Sequence, residues 1–345
     1  MKALIVGLGG IGQRHASNLR SILKDRVDLM AYRVRGLTQV ITSTLEADAG
    51  RNVERDFGIR VFTDLEAALA QRPDVAFVCN PTSLHVETAA ACVAGGCDVF
   101  VEKPLSDRLD GVDELIEAAG QAKRIGMVGY HMRFNPCLRS LADVLKSGVL
   151  GDVLAVRATI GEYLPGFHPY EDYREGYAAK ASLGGGVVLT QIHEFDYLYS
   201  LFGPIHSVYA LGGHWSHLEL DVEDIASTLM QASAGTRPLP IHLQQDYVQK
   251  PPVRQCEVVG DHGTAVLDFR ALSVTVARPD AAPVVHSFAG FDRNQMFVDE
   301  VTHFLDCVRT RERPIVDLRE GAKSLRIALA VKESMASQTV VRLTP

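Results

Sequence analysis

The chain has 345 residues, of which 47% are hydrophobic and 22% charged, and carries a formal net charge of -7. A single core rarely grows past about 250 to 300 residues, so two domains are expected, and the composition is that of a globular chain with no disordered or fibrous bias. The acidic balance without any Lys/Arg run excludes nucleic acid as a partner, and no apolar stretch approaches the length of a membrane helix, about 18 residues, so a cytoplasmic protein with no membrane partner is expected.

In chain order, short apolar runs at residues 3–6, 28–32, 60–62, 75–79, 98–101 and 127–130 are predicted strands, with predicted helices at 12–23, 65–71, 84–94 and 110–123 between them. Strict alternation of strand and helix predicts parallel strands joined by crossovers, an α/β doubly wound Rossmann sheet. After Arg133 longer β-prone segments follow at 153–161, 207–212, 225–231, 240–247, 255–259 and 265–269, broken by turn signals such as Gly260-Asp261-His262-Gly263, and helices return at 294–310 and 318–338. This predicts an α+β second domain with a large, mostly antiparallel sheet. The domains are expected at 1–125, for cofactor, and 126–345, for substrate and oligomerisation, with the ligand cleft at their border.

The six cysteines, Cys79, Cys92, Cys97, Cys137, Cys256 and Cys307, form no C-x-x-C pair, and the twelve histidines show no ligand spacing, so neither a disulfide framework nor a metal is expected.

Gly7-Leu8-Gly9-Gly10-Ile11-Gly12 is G-x-G-x-x-G, placed after an apolar strand and before a helix. In that setting the first glycine makes a tight turn, the second admits the pyrophosphate, the third lets helix pack on strand, and helix N–H groups face the anion. An NAD site usually holds Asp or Glu about 20 residues on. Here Tyr32-Arg33 stands in that place with Arg35 close behind. A guanidinium attracts a 2′-phosphate, so NADP is favoured over NAD, unless Arg33 is only a solvated strand-end residue.

Two further loops fall at carboxyl ends of predicted parallel strands, where doubly wound proteins place ligands: Cys79-Asn80-Pro81-Thr82-Ser83-Leu84-His85 and Val101-Glu102-Lys103-Pro104-Leu105. Together with residues 129–136 (Gly-Tyr-His-Met-Arg-Phe-Asn-Pro) and 184–196 (Gly-Gly-Gly-Val-Val-Leu-Thr-Gln-Ile-His-Glu-Phe-Asp), they resemble the glucose-fructose oxidoreductase / inositol dehydrogenase (Gfo/Idh/MocA) family over nearly the whole chain. The resemblance implies an NAD(P)-dependent oxidoreductase of a sugar, sugar acid, cyclitol or nucleotide sugar. It puts Lys103 of E-K-P near the nicotinamide and the reacting carbon with His193 across from it, and Asn80, Pro81, His85 and Glu102 around the cofactor. Oxidising an alcohol moves a hydride to nicotinamide while a base takes the hydroxyl proton. His193, with an ordinary pKa of about 6.5, suits the acceptor, and Lys103 suits stabilisation of the oxygen.

Thr190 departs from the pattern, since many members carry Asp there, so either His193 and Lys103 suffice or the proton relay is altered. Substrate contacts are assigned to Arg133, Thr190 and His193, and to Tyr163 and Arg174 in the aromatic and cationic loop that also holds Tyr170, Tyr173, Tyr177 and Lys180. Gln13 and His15 either touch the phosphates or merely pack. Family members that retain their cofactor through an isomerisation, an aldose-aldose exchange or a glycoside cleavage provide one alternative function, and a non-catalytic dinucleotide sensor provides another. A homodimer or homotetramer paired through the second sheet is expected.

Overall fold

The computed structural model describes residues 1–34, 36, 38–42 and 46–344, with Ala49 described for its backbone only. The first half runs β1 (Lys2–Val6), α1 (Gly10–Leu23), β2 (Asp28–Tyr32), β3 (Gln39–Ile41), β4 (Ala47–Asn52), α2 (Val53–Phe57), β5 (Ile59–Phe62), α3 (Leu65–Leu69), β6 (Val75–Val78), α4 (His85–Ala94), β7 (Asp98–Glu102), α5 (Val112–Gln121) and β8 (Gly126–Gly129). Six of these strands form a parallel sheet in the order β5-β2-β1-β6-β7-β8, and β3 and β4 make a separate hairpin. Every residue of β6, β7 and β8 is buried, because helices cover both faces of the sheet and leave no side for water. The order reverses between β1 and β6, which opens a crevice at the carboxyl ends of these strands.

The second half runs α6 (Pro136–Lys146), β9 (Val153–Gly161), α7 (Val187–Thr190), α8 (His193–Phe202), β10 (Ser207–Gly213), β11 (Ile225–Ala234), β12 (Arg237–Asp246), β13 (Val253–Gly260), β14 (Gly263–Asp268), β15 (Ser273–Arg278), β16 (Ala281–Ser287), α9 (Arg293–Thr310), α10 (Leu318–Ser337) and β17 (Val341–Arg342). Its nine-stranded sheet is antiparallel except where β12 lies parallel to β9. Burial alternates along β11, with Ala226, Thr228, Met230 and Ala232 inward, so one face packs on helices and the other is open.

The border expected at residue 125 falls one strand early. Gly126–Gly129 is the last strand of the first sheet, paired in parallel with β7. Nor do the halves separate cleanly after it: the Val128 N–H donates to the Val316 carbonyl just before α10, and a Cβ at Gly321 of α10 would strike the Val128 side chain. The closing helices therefore return to the first sheet, and a Cβ-free position lets one of them approach its edge strand. No helix among the described residues is long and apolar enough to cross a membrane.

Candidate active site

β1 delivers the chain to Gly7, whose φ of +92° turns it toward α1. A Cβ at Gly7 would lie 2.7 Å from the Cys79 carbonyl oxygen, and one at Gly12 would strike the carbonyl of Gly7, so neither position accepts a side chain without movement. Gly9 differs, because nothing lies within 4 Å of a Cβ built there. It is the N-cap of α1 and provides no side-chain cap, which leaves the helix's first N–H groups, around Gly10 and Ile11, to an outside acceptor. This open helix end fits the pyrophosphate of a dinucleotide. The Tyr170 hydroxyl comes within 2.9 Å of the Cβ position of Gly10, so the loop between β9 and α7 reaches back over the turn.

Gln13 and His15 do not face this opening. The Gln13 amide donates to the Gln39 carbonyl at 3.0 Å and its oxygen accepts from Ile41 N–H at 2.7 Å, tying α1 to β3. His15 Nε2 lies 2.7 Å from Glu102 Oε1 in a box of Phe77, Phe100 and Phe297. At the end of β2, Arg33 is ion-paired with Glu54 at the start of α2. Arg35 lies outside the described residues. A carboxylate thus already neutralises the guanidinium expected to attract a 2′-phosphate.

The loops after β6 and β7 are braced together by His85, whose Nδ1 is 2.7 Å from the Pro104 carbonyl and Nε2 is 2.8 Å from the Asn80 carbonyl. Burial lowers its pKa, against the raising effect of the two carbonyls. Pro81 opens the short turn at Thr82–Leu84 that leads into α4. Asn80 donates through Nδ2 to Thr88 at 2.8 Å and leaves its buried Oδ1 without a partner. Glu102, besides His15, accepts from the Lys103 backbone N–H at 3.2 Å.

Lys103 reaches across to the second half, where its Nζ donates to the Thr190 carbonyl at 2.8 Å. Burial pulls its pKa down to about 8, against the raising field of Glu102. Three residues on, His193 opens α8 at 4% exposure, and neither ring nitrogen has a partner among the described residues. Its ring meets His131 edge-on at 4.3 Å between centroids, and His131 stacks on Phe297 at 4.3 Å. Burial, followed by the field of His131 and Lys103, drives the His193 pKa well below the ordinary value, so the ring is neutral. The Thr190 hydroxyl is also buried and unpartnered. Lys103, Thr190 and His193 are thus brought together.

Other expected contacts are engaged elsewhere. Arg133 grips the fully buried Asp196 through Nε at 2.7 Å and Nη2 at 2.9 Å. Arg174 is exposed and bound to Asp172 and Glu219, which cancels the charge meant for an anionic substrate. The Tyr163 ring carries the Lys250 ammonium 3.3 Å from its centroid. The sequence reading did not single out His131, Phe297, Glu162 or Arg254. His131 lies inside the 129–136 segment but was given no role of its own there, and the others arrive by strand register and helix packing. Among the described residues no group of three His, Cys, Asp or Glu side chains converges to hold a metal.

Comparison with known proteins agrees with this fold. Residues 1–130 match the model of the oxidoreductase family with NAD-binding Rossmann fold, and residues 138–266 match the GFO/IDH/MocA C-terminal domain. The chain is 26% identical to myo-inositol 2-dehydrogenase of Thermotoga maritima, over 99% of this chain and 98% of that protein. It is 22% identical to scyllo-inositol 2-dehydrogenase (NAD(+)) of Bacillus subtilis, over 99% and 96%. Among solved structures, the WlbA dehydrogenase from Bordetella pertussis, in complex with NADH and UDP-GlcNAcA, superposes with a TM-score of 0.81 at 20% identity, covering 100% of this chain and 98% of that one. Levoglucosan dehydrogenase with NADH and levoglucosan gives 0.83 at 16% identity, covering 100% of both chains. The glycine turn, the two strand-end loops and the nine-stranded sheet behind them belong to one recognised pattern, and the chain is a member of the Gfo/Idh/MocA family of NAD-binding oxidoreductases.

Proposed function

We propose that the chain is a dehydrogenase that interconverts a secondary alcohol and a ketone on a sugar, sugar acid, cyclitol or nucleotide sugar. The carrying observation is His193, a neutral ring at 4% exposure with both nitrogens unpartnered, beside a lysine whose pKa is drawn down to about 8. Leaving buried polar atoms unpaired costs about 1–3 kcal/mol each, so such a ring in a pocket is best accounted for by a ligand that completes its hydrogen bonds. A nicotinamide dinucleotide on the glycine turn supplies the hydride acceptor or donor.

The chain's own residues handle the proton. In its neutral form Lys103 takes the proton of the substrate hydroxyl, and a pKa near the operating pH suits that work in both directions. His193 donates one N–H to the substrate oxygen and fixes its position. These roles are the reverse of those expected from sequence, because burial strips the imidazole of basicity and brings the ammonium within reach of neutral pH. Asn80 Oδ1, buried and unpartnered at the end of β6, is left to accept from the cofactor. The Arg33–Glu54 pair favours NAD over NADP, since a ribose diol can donate to Glu54 whereas a 2′-phosphate is repelled by it.

The substrate class is tested directly. Purified protein is titrated with NADH and NADPH by fluorescence, then supplied with inositols, aldoses, sugar acids and nucleotide sugars while cofactor turnover is followed. Tighter NADH binding and turnover of one polyol are expected. Failure to bind either dinucleotide would remove the reading.

A further inference from the structure

Three carboxylates raise the proton affinity of Lys103: Glu102, Glu194 and Glu162. Two are committed. Glu102 is held by His15 at 2.7 Å, and Glu194 is held by Arg254 through bonds of 2.8 and 3.1 Å. Glu162, half-buried just past β9, has no side-chain hydrogen bond or ion pair among the described residues.

Strand register aims it at the site. Ile160 lies opposite Arg254 in the β9–β13 pair. Opposed residues share a face, as do alternate residues of one strand, so Glu162 lies on the face from which Arg254 reaches Glu194, the neighbour of His193. The backbone carries the same connection. The Glu162 N–H donates to the Asp246 carbonyl at 3.1 Å, and that oxygen also takes the Gln191 side-chain amide at 3.1 Å. Gln191 follows Thr190, whose carbonyl holds the Lys103 ammonium at 2.8 Å.

We propose, resting on the reading of Lys103 and His193 given above, that Glu162 is the substrate-binding carboxylate of this site and accepts hydrogen bonds from the hydroxyls beside the reacting carbon. Thr190 brings a hydroxyl but no charge to the pocket, and Glu162 provides the charge from another strand. A carboxylate offers acceptors only, so its partner must donate, and two oxygens side by side match a vicinal diol. The ligand chemistry at this end of the pocket is therefore a neutral polyhydroxylated carbon chain or ring. A carboxylate or phosphate group on the substrate is excluded from this end by like charge and must lie farther from Lys103.

The test uses the full chain with NAD, myo-inositol and a deoxyinositol that lacks a hydroxyl next to the oxidised carbon, alongside an aldose and its deoxy counterpart. A hydrogen bond to a charged group is worth about 10- to 100-fold, so Glu162→Gln is expected to lower kcat/KM for the polyol by that factor. The same variant should scarcely change the already poor turnover of the deoxy analogue. Because Glu162 helps hold the proton on Lys103, Glu162→Gln should also move the acid limb of the oxidation profile to lower pH, a shift that a merely structural role would not cause. Glu162→Asp, which keeps the charge, should retain the limb. Equal losses for polyol and deoxy analogue with an unmoved limb, or no loss at all, would overturn the proposal while leaving the dehydrogenase reading in place. A wild-type protein that binds dinucleotide but oxidises no member of the panel would overturn both.

Discussion

At the scale of single residues, the site is governed by what burial does to charge. Lys103, half-buried and drawn to a pKa of about 8, must be neutral to accept a proton, so alcohol oxidation is expected to rise with pH through about 8 and level off above it. Ketone reduction, which needs the protonated form, should fall over the same interval. Initial rates in both directions across pH 6 to 10 check the sign, and a limb near the ordinary histidine value would return the base to His193. Lys103→Ala should cost about 10²- to 10⁴-fold in kcat while dinucleotide binding persists, the range typical of a lost acid–base group. Arg133 behaves differently. Its partner Asp196 is fully buried, and removing one member of a buried pair costs about 3–5 kcal/mol, so Arg133→Ala should lower Tm sharply. A variant of unchanged Tm with a raised KM would restore Arg133 to the substrate.

At the scale of elements, the glycine turn joins sequence to site most directly. A Cβ at Gly12 would strike the Gly7 carbonyl, so Gly12→Ala must push α1 away from β1 and misplace the N–H groups at Gly10 and Ile11. Loss of dinucleotide binding is expected, measured by fluorescence quenching, whereas Gly9→Ala, with open space around it, should keep the fold and lose affinity only through contact with the ligand. This turn was legible in the sequence because strand, glycines and helix are contiguous, and the strand-end loops holding Asn80 and Lys103 followed from the alternation of strand and helix, whereas His193, at the start of α8, was picked out only by the family resemblance. The helix at Pro136–Lys146 was passed over although Asn135 as N-cap and Pro136 in the first turn mark it. The sequence could not indicate that Phe297 of α9 packs on His131 or that Glu54 meets Arg33. Each depends on register or packing between segments far apart in the chain, to which local periodicity is blind. At Arg174 the sequence shows a cation in a loop and says nothing of the carboxylates that fold against it.

At the scale of the molecule, the second sheet has one face still to account for. Helices pack on the inward residues of β10 and β11, while Tyr209 and Leu229 stand opposite one another on the outward side with Leu211 beside them, Leu211 and Leu229 being 47% and 52% exposed. Farther along the same side, Arg157 and Glu257 pair across β9 and β13 at 2.8 Å. A surface of mixed apolar and polar side chains that none of the described elements covers is suited to a second copy related by a two-fold axis, where each patch meets its own image. A pairing of this kind is our proposal for the assembly, and it needs an interface of roughly 1,600 Å² of total area, which a sheet of this width can supply. Because Leu211 and Leu229 point to solvent within one chain, replacing both with Arg should not harm the fold, yet in the pair it brings four guanidinium groups together. The double variant is expected to sediment as a monomer with an unchanged circular dichroism spectrum, while the wild type sediments as a dimer or a tetramer built from it. A wild type that is monomeric, or a double variant that keeps its assembly, would mean that this face serves another purpose. Since His193 in α8 and Lys103, bonded to the Thr190 carbonyl, lie toward the helix-covered face of the sheet and not this open one, cofactor binding by the monomeric variant should match that of the wild type, separating assembly from the chemistry of the cleft.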